Sequence, residues 1–120
     1  MPKALITRAR LQHLVETPSK AGTRIAILGD AMLDIYLRGD VDRFSPEAPV
    51  PVVRVRERKH ALRGAANVAQ NAAALGARAE LVAALGDDVA GAQLRAMLLA
   101  LGADPRGLIM TARPTTTKTR

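Results

Sequence analysis

The sequence has no cysteine, no tryptophan and only two aromatic residues, Tyr36 and Phe44. Without cysteine, disulfide scaffolds, thiolate zinc sites, iron–sulfur clusters and cysteine nucleophiles are excluded. That usage suits a reducing compartment, and a cytoplasmic location is expected. No apolar run approaches the ~20 residues of a membrane-spanning helix. The N-terminal segment is basic but has neither a continuous apolar block nor a small-residue cleavage site, so it does not read as a secretory signal. Its arginines and near-lack of acids also suit an organellar transit peptide. Leu11, Leu14 and Val15 at helical spacing fit a short amphipathic docking helix better.

What is abundant is alanine, with 23 residues in a chain of 120 that is 48% hydrophobic. That is too apolar for a disordered tail and fits one small domain or part of a larger one. The core is therefore expected to consist of Leu, Val, Ile and Ala with few large anchors. Lys and Arg exceed Asp and Glu by 18 to 11, a net charge of +7. The one basic cluster is Arg54, Arg56, Arg58, Lys59, His60 and Arg63. Its arginines alternate with Val53, Val55 and Glu57, the period of a strand with one solvated face. No aromatic side chains interleave for base stacking, and no zinc or helix-turn-helix signature occurs, so a nucleic-acid partner is not expected. Attraction of an anionic substrate suits the charge better. His13 and His60 lack metal-ligand spacing and read as surface residues.

Residues 24–28 form a short apolar run ending in Gly29-Asp30, the pattern of a buried parallel strand. A polar, irregular stretch is expected to follow, through Arg38-Gly39-Asp40. Pro46, Pro49 and Pro51 then forbid a helix or a central strand and leave an edge strand or a flap. A helix is expected from Ala65 to Leu75, stopped by Gly76, and a strand over 80–85. Leu94, Met97, Leu98 and Leu101 predict a second helix, stopped by Gly102. Strands are expected over 107–110 and at the start of 115–120. This alternation predicts an α/β fold with parallel strands and right-handed crossovers. The chain stops inside a β-prone segment, so it reads as cut short.

Ligands of parallel α/β sheets gather beyond the carboxyl ends of the strands. Asp30, Asp34, Asp87 and Asp88 fall there. Such carboxylates can accept hydrogen bonds from the hydroxyl groups of a polyol. Asp30 and Asp88 can equally cap turns or helices, and Asp88 stands just before a helix. Asp34, between Leu33 and Ile35, is a less natural cap. Gly64 offers backbone freedom for a hinge or a close ligand approach, and Asn67 is a polar residue in the first helical turn. A plain helix start explains both equally. Lys118 and Arg120 share one face of the last strand, where they suit either a phosphate or a solvated edge. The Walker spacing of a phosphate-binding loop is absent.

The segments Ile27-Leu28-Gly29-Asp30-Ala31-Met32-Leu33-Asp34, Phe44 to Val53, Gly64-Ala65-Ala66-Asn67-Val68-Ala69, Gly86-Asp87-Asp88-Val89-Ala90-Gly91 and Pro114 to Arg120 occur in an order and spacing that closely resemble the ribokinase-like (PfkB) sugar kinases. Within that family they are most similar to the branch acting on D-glycero-β-D-manno-heptose 7-phosphate, often the N-terminal half of a bifunctional kinase/adenylyltransferase. The resemblance covers residues 24–120 and leaves 1–23 as an extension with a short helix. It implies a three-layer α/β/α fold, here in its N-terminal part, with a small β lid over about residues 36–60. It implies transfer of the ATP γ-phosphoryl group, with Mg²⁺, to the anomeric hydroxyl of the sugar phosphate, for ADP-heptose and lipopolysaccharide core synthesis. By analogy Asp34 binds sugar hydroxyls, Gly64 and Asn67 form the hinge and sugar-contact segment, and Lys118 and Arg120 face the sugar phosphate. A homodimer through the lid is implied for the full-length enzyme.

Two departures stand out. The family carries Gly-Gly where this chain has Arg63-Gly64, and loss of the first glycine removes easy access to positive φ. The family's Gly-Ala-Gly-Asp segment, which carries the catalytic base and anion hole, does not occur in these 120 residues. The chain alone is therefore expected to be inactive and to hold neither ATP nor Mg²⁺. Other readings are a PfkB kinase of another sugar or a nucleoside, and a noncatalytic module that binds sugar phosphate or pairs through its lid.

Overall fold

The computed structural model describes residues 6–20 and 22–120. The elements are α1 (Arg8–Lys20), β1 (Arg24–Leu28), β2 (Ala31–Phe44), β3 (Pro51–Gly64), α2 (Ala65–Ala74), β4 (Arg78–Gly86), α3 (Val89–Ala100), β5 (Leu108–Thr111) and β6 (Thr117–Thr119). They form two three-stranded sheets, ordered β1-β4-β5 and β3-β2-β6.

The first sheet is parallel throughout, with Ile27 paired to Leu81 and Ala84 to Ile109. Strand β4 lies at its centre, and every second residue from Ala79 to Leu85 is buried. These side chains join Ala66 and Ala69 of α2 and Leu94 and Leu98 of α3 in one core. Both helices end as their glycines predict. Gly76 and Gly102 take φ of 86° and 74°. The amides of Ala77 and Ala103 bond back to the carbonyls of Ala72 and Leu98 at 3.0 and 3.1 Å, which satisfies orphan acceptors of the last turn.

Several expectations need correction. Strand β1 is parallel but not buried. It lies at the sheet edge among the described residues, and Leu28 is 83% exposed. Leu28 faces away from the helices, where no described element covers it. The fully buried large side chains are all leucines, Leu33, Leu81, Leu85, Leu94 and Leu98, so Val and Ile contribute less to the core than composition suggests. Helix α1 forms, but Leu11, Leu14 and Val15 remain exposed rather than docked. His60 is half-buried in β3 rather than on the surface. Gly107 ends a short 3-10 turn, so β5 starts one residue late.

The largest correction is the stretch through Arg38-Gly39-Asp40. It is not irregular but continues β2, which pairs antiparallel with β3 in a long hairpin. A bulge sits at Arg38/Gly39, and a Cβ at Gly39 would strike the backbone of Arg54 there. The proline-rich segment forms the hairpin's tip and the start of edge strand β3, as the prolines require. Strand β6 adds parallel to the other side of β2, with Asp34 opposite Lys118.

Candidate functional site

The hairpin is rooted where β1 ends. Gly64 sits at its base with φ 61° and ψ −137°, and a Cβ there would strike the carbonyl oxygen of Asp30. That same oxygen accepts the first amide of α2, from Ala65, at 2.8 Å. Gly64 is thus required by a close approach of backbone to backbone. Asp30 tethers the helix through its carbonyl and not through its carboxylate. Arg63 pairs with Met32 inside the sheet, and no non-glycine residue among those described has positive φ. Replacing a glycine by Arg63 therefore imposes no backbone strain.

Strand alternation puts Asp34 and Tyr36 on one face of β2, Arg63 on the same face of β3, and Lys118 and Arg120 on the same face of β6 and its end. The Asp34 side chain is 3% exposed. Its Oδ2 accepts a 2.7 Å hydrogen bond from Arg63 Nη1 and a 3.2 Å bond from the Tyr36 hydroxyl. Arg120 Nη2 stands 3.4 Å from the same oxygen, and its guanidinium lies 5.7 Å from the centre of the Tyr36 ring. Oδ1 is buried with no hydrogen-bond partner. Burial pushes the Asp34 carboxyl up. The hydrogen bond and charge of Arg63, the Tyr36 hydroxyl and the charge of Arg120 outweigh it and hold the group below the ordinary carboxylate range.

One carboxylate thus holds Arg63 and Arg120, with Lys118 opposite it on the neighbouring strand, and cationic charge is left over for an anion. The unpartnered Oδ1 asks for a donor. A hydroxyl and a phosphate on one ligand would meet both demands. The sequence-predicted residues Asp34, Lys118 and Arg120 therefore come together, with Gly64 adjoining through Arg63. Asn67 lies exposed in the first turn of α2, with no hydrogen bond to this cluster. Tyr36 is a site residue the sequence reading missed. Its signal was the two-residue spacing from Asp34, hidden by reading that stretch as irregular. Arg63 stands in the sequence as part of the basic cluster and as a departure from the family pattern, yet it makes the shortest contact to Asp34.

Asp88 has the structural role. It caps α3 by accepting the amide of Gly91 at 2.7 Å, as its position before the helix suggests. Asp30 lines a cavity of about 140 Å³ with Thr111, Arg113 and Thr116, at the carboxyl ends of β1, β4 and β5. Among the described residues no three His, Asp or Glu side chains converge as a metal ion needs. The cations around Asp34 also oppose a metal there. The Asp34 cluster therefore does not fit Mg²⁺. No helix among the described residues is long and apolar enough to cross a membrane.

The sequence profile of the pfkB family carbohydrate kinases matches residues 22–120. The "Bifunctional protein HldE" of Caulobacter vibrioides is 50% identical over 101 residues, which cover 83% of this chain and 21% of that protein. The "D-beta-D-heptose 7-phosphate kinase" of Bordetella bronchiseptica is 49% identical over 100 residues, covering 83% of this chain and 32% of that protein. The chain thus spans about a fifth to a third of these relatives. The crystal structure of a fructokinase with bound ATP from Xylella fastidiosa superposes with a TM-score of 0.63 at 25% identity, over 82% of this chain and 29% of that one.

Proposed function

Because the chain belongs to the pfkB family of carbohydrate kinases, we propose that it carries the sugar-binding side of a kinase acting on heptose 7-phosphate. The observation that carries this reading is the buried Asp34 carboxylate, with one oxygen held by Arg63, Tyr36 and Arg120 and the other without a donor. In this reading Oδ1 accepts a sugar hydroxyl, and Lys118 and Arg120 meet the 7-phosphate. Gly64 and Asn67 form the hinge and sugar-contact segment beside them. Cations in excess around one carboxylate favour a phosphorylated sugar over a neutral sugar or a nucleoside. The name of the Bordetella bronchiseptica relative, a D-beta-D-heptose 7-phosphate kinase, supports the same substrate class.

The full reaction bonds the anomeric oxygen to the phosphoryl group as the bridge to the rest of the nucleotide breaks. The hydroxyl proton passes to a base. When bound, ATP would supply the phosphoryl group and Mg²⁺ would neutralise its charge. Asp34 is too engaged by cations to serve as that base, and the Gly-Ala-Gly-Asp segment is absent from these residues. This chain's own part is to bind and orient the sugar phosphate, and by itself it does not turn over ATP. A coupled ADP-release assay with heptose 7-phosphate should read background, and turnover above it would refute this assignment. Calorimetry with the sugar phosphate alone should show saturable binding.

The outer hairpin acts as the lid over about residues 36–60. Val41, Val53 and Val55 stand exposed on one face of it, with Val41 paired to Val53. That patch supports pairing of two lids in a homodimer. Light scattering across a concentration series should show a dimer that Val53→Lys dissociates. Cytoplasmic ADP-heptose synthesis, for lipopolysaccharide core, is the setting that this substrate implies.

A further inference from the structure

Asp34 is sealed as well as buried. Its side chain is 3% exposed, whereas Arg63 and Arg120 above it are 46% and 39% exposed. Oδ2 is taken by Arg63, Tyr36 and Arg120 and is closed to a ligand hydroxyl while these side chains hold it, and Oδ1 is buried. Arg63 makes the tighter contact, at 2.7 Å against 3.4 Å for Arg120. Its backbone is fixed by pairing with Met32 and by the Gly64 turn, so its side chain is the part free to move. Swinging a half-exposed guanidinium into water costs little for the arginine. It costs more for Asp34, which would lose a charge-assisted donor while remaining buried.

A neutral sugar can offer Asp34 a hydroxyl but gives the displaced guanidinium nothing. A sugar phosphate supplies both: the hydroxyl goes to the carboxylate and the phosphate takes the guanidinium. We propose that Arg63 is a specificity-determining residue that latches Asp34 and is released to the anionic group of the ligand, so that a phosphorylated sugar opens the site and a neutral one does not. The inference rests on Asp34 as the sugar ligand.

Calorimetry with heptose 7-phosphate and with unphosphorylated heptose, on the wild-type chain and Arg63→Gly, tests it. The wild type should prefer the phosphorylated sugar. In Arg63→Gly that preference should fall by at least about tenfold, mainly because neutral heptose binds more tightly than it does to the wild type. A merely structural ion pair would weaken both ligands together. An unchanged preference, or no gain for neutral heptose, would overturn the latch while leaving the sugar reading intact. A second measurement needs neither the variant nor a sugar. In ¹³C-labelled wild-type chain, the Asp34 carboxyl resonance, assigned with Asp34→Asn, should shift saturably as inorganic phosphate is added, and a resonance that ignores phosphate would overturn the latch. If phosphate moves that resonance but neither heptose binds, the sugar reading falls and the specificity role of Arg63 falls with it.

Discussion

Asp88 and Thr115 join the start of α3 to the entry of β6. Asp88 Oδ2 accepts the amide of Thr115 at 2.8 Å, and Thr115 Oγ1 in turn accepts the amide of Gly86 at 2.9 Å. The Thr115 amide, followed by that of Gly91, holds the Asp88 carboxyl below its usual range. The strand that brings Lys118 and Arg120 beside Asp34 is therefore anchored by a helix cap.

Asp88→Ala should both lower the melting midpoint and weaken heptose 7-phosphate binding by about tenfold, since β6 loses its anchor. Asp88→Asn retains one acceptor and should recover part of both. Calorimetry beside thermal melts checks this. A variant that melts early but binds normally would detach the cap from the site.

Gly64→Ala should cost about 1–3 kcal/mol for backbone strain alone, and more for the clash with the Asp30 carbonyl. Gly102→Ala also meets positive φ, but its Cβ would enter open space. It should cost only about 1–2 kcal/mol. Urea unfolding of the two variants, compared with wild type, measures the difference.

Leu94 is fully buried between α3 and the central strand. Because alanines fill so much of this core, few neighbours can collapse into the space it leaves. Leu94→Ala should destabilise by about 2–5 kcal/mol, while Leu28→Ala, on the uncovered sheet face, should change stability far less. Equal losses in urea unfolding would contradict the assigned core.

Acid should destabilise the chain in a defined window. The Asp104 carboxyl is brought from 3.8 to about 2, chiefly by the hydrogen bond from the Arg106 side chain and then by its backbone amide. Asp34 is shifted the same way. In this window the unfolded chain binds more protons, so stability present above pH 4 is lost as pH falls toward about 2. Asp104→Asn should flatten that loss in pH-dependent unfolding curves. An unaltered slope would show that the pair contributes nothing.

Local chemistry made much of this fold legible. Gly76 and Gly102 stop their helices, Asp88 caps α3, and the prolines keep β3 at an edge, all through residues adjacent in sequence. Strand β2 is not legible, because the stretch that follows Gly29-Asp30 reads as polar and irregular. Arg38, Gly39 and Asp40 have poor strand propensity, and only pairing with residues 54–57 of β3 makes them extended. The contact of Arg63 with Asp34 spans 29 positions and depends on that pairing. Once β2 is known as a strand, alternation places Tyr36 beside Asp34 at once.

Calorimetric titration of heptose 7-phosphate into the wild-type chain and Asp34→Asn tests the central claim most directly. The account predicts saturable binding to the wild type and a loss of at least about tenfold in Asp34→Asn, because a charge-assisted acceptor of the sugar hydroxyl is gone. Equal affinity for both, with the variant folded, would contradict it.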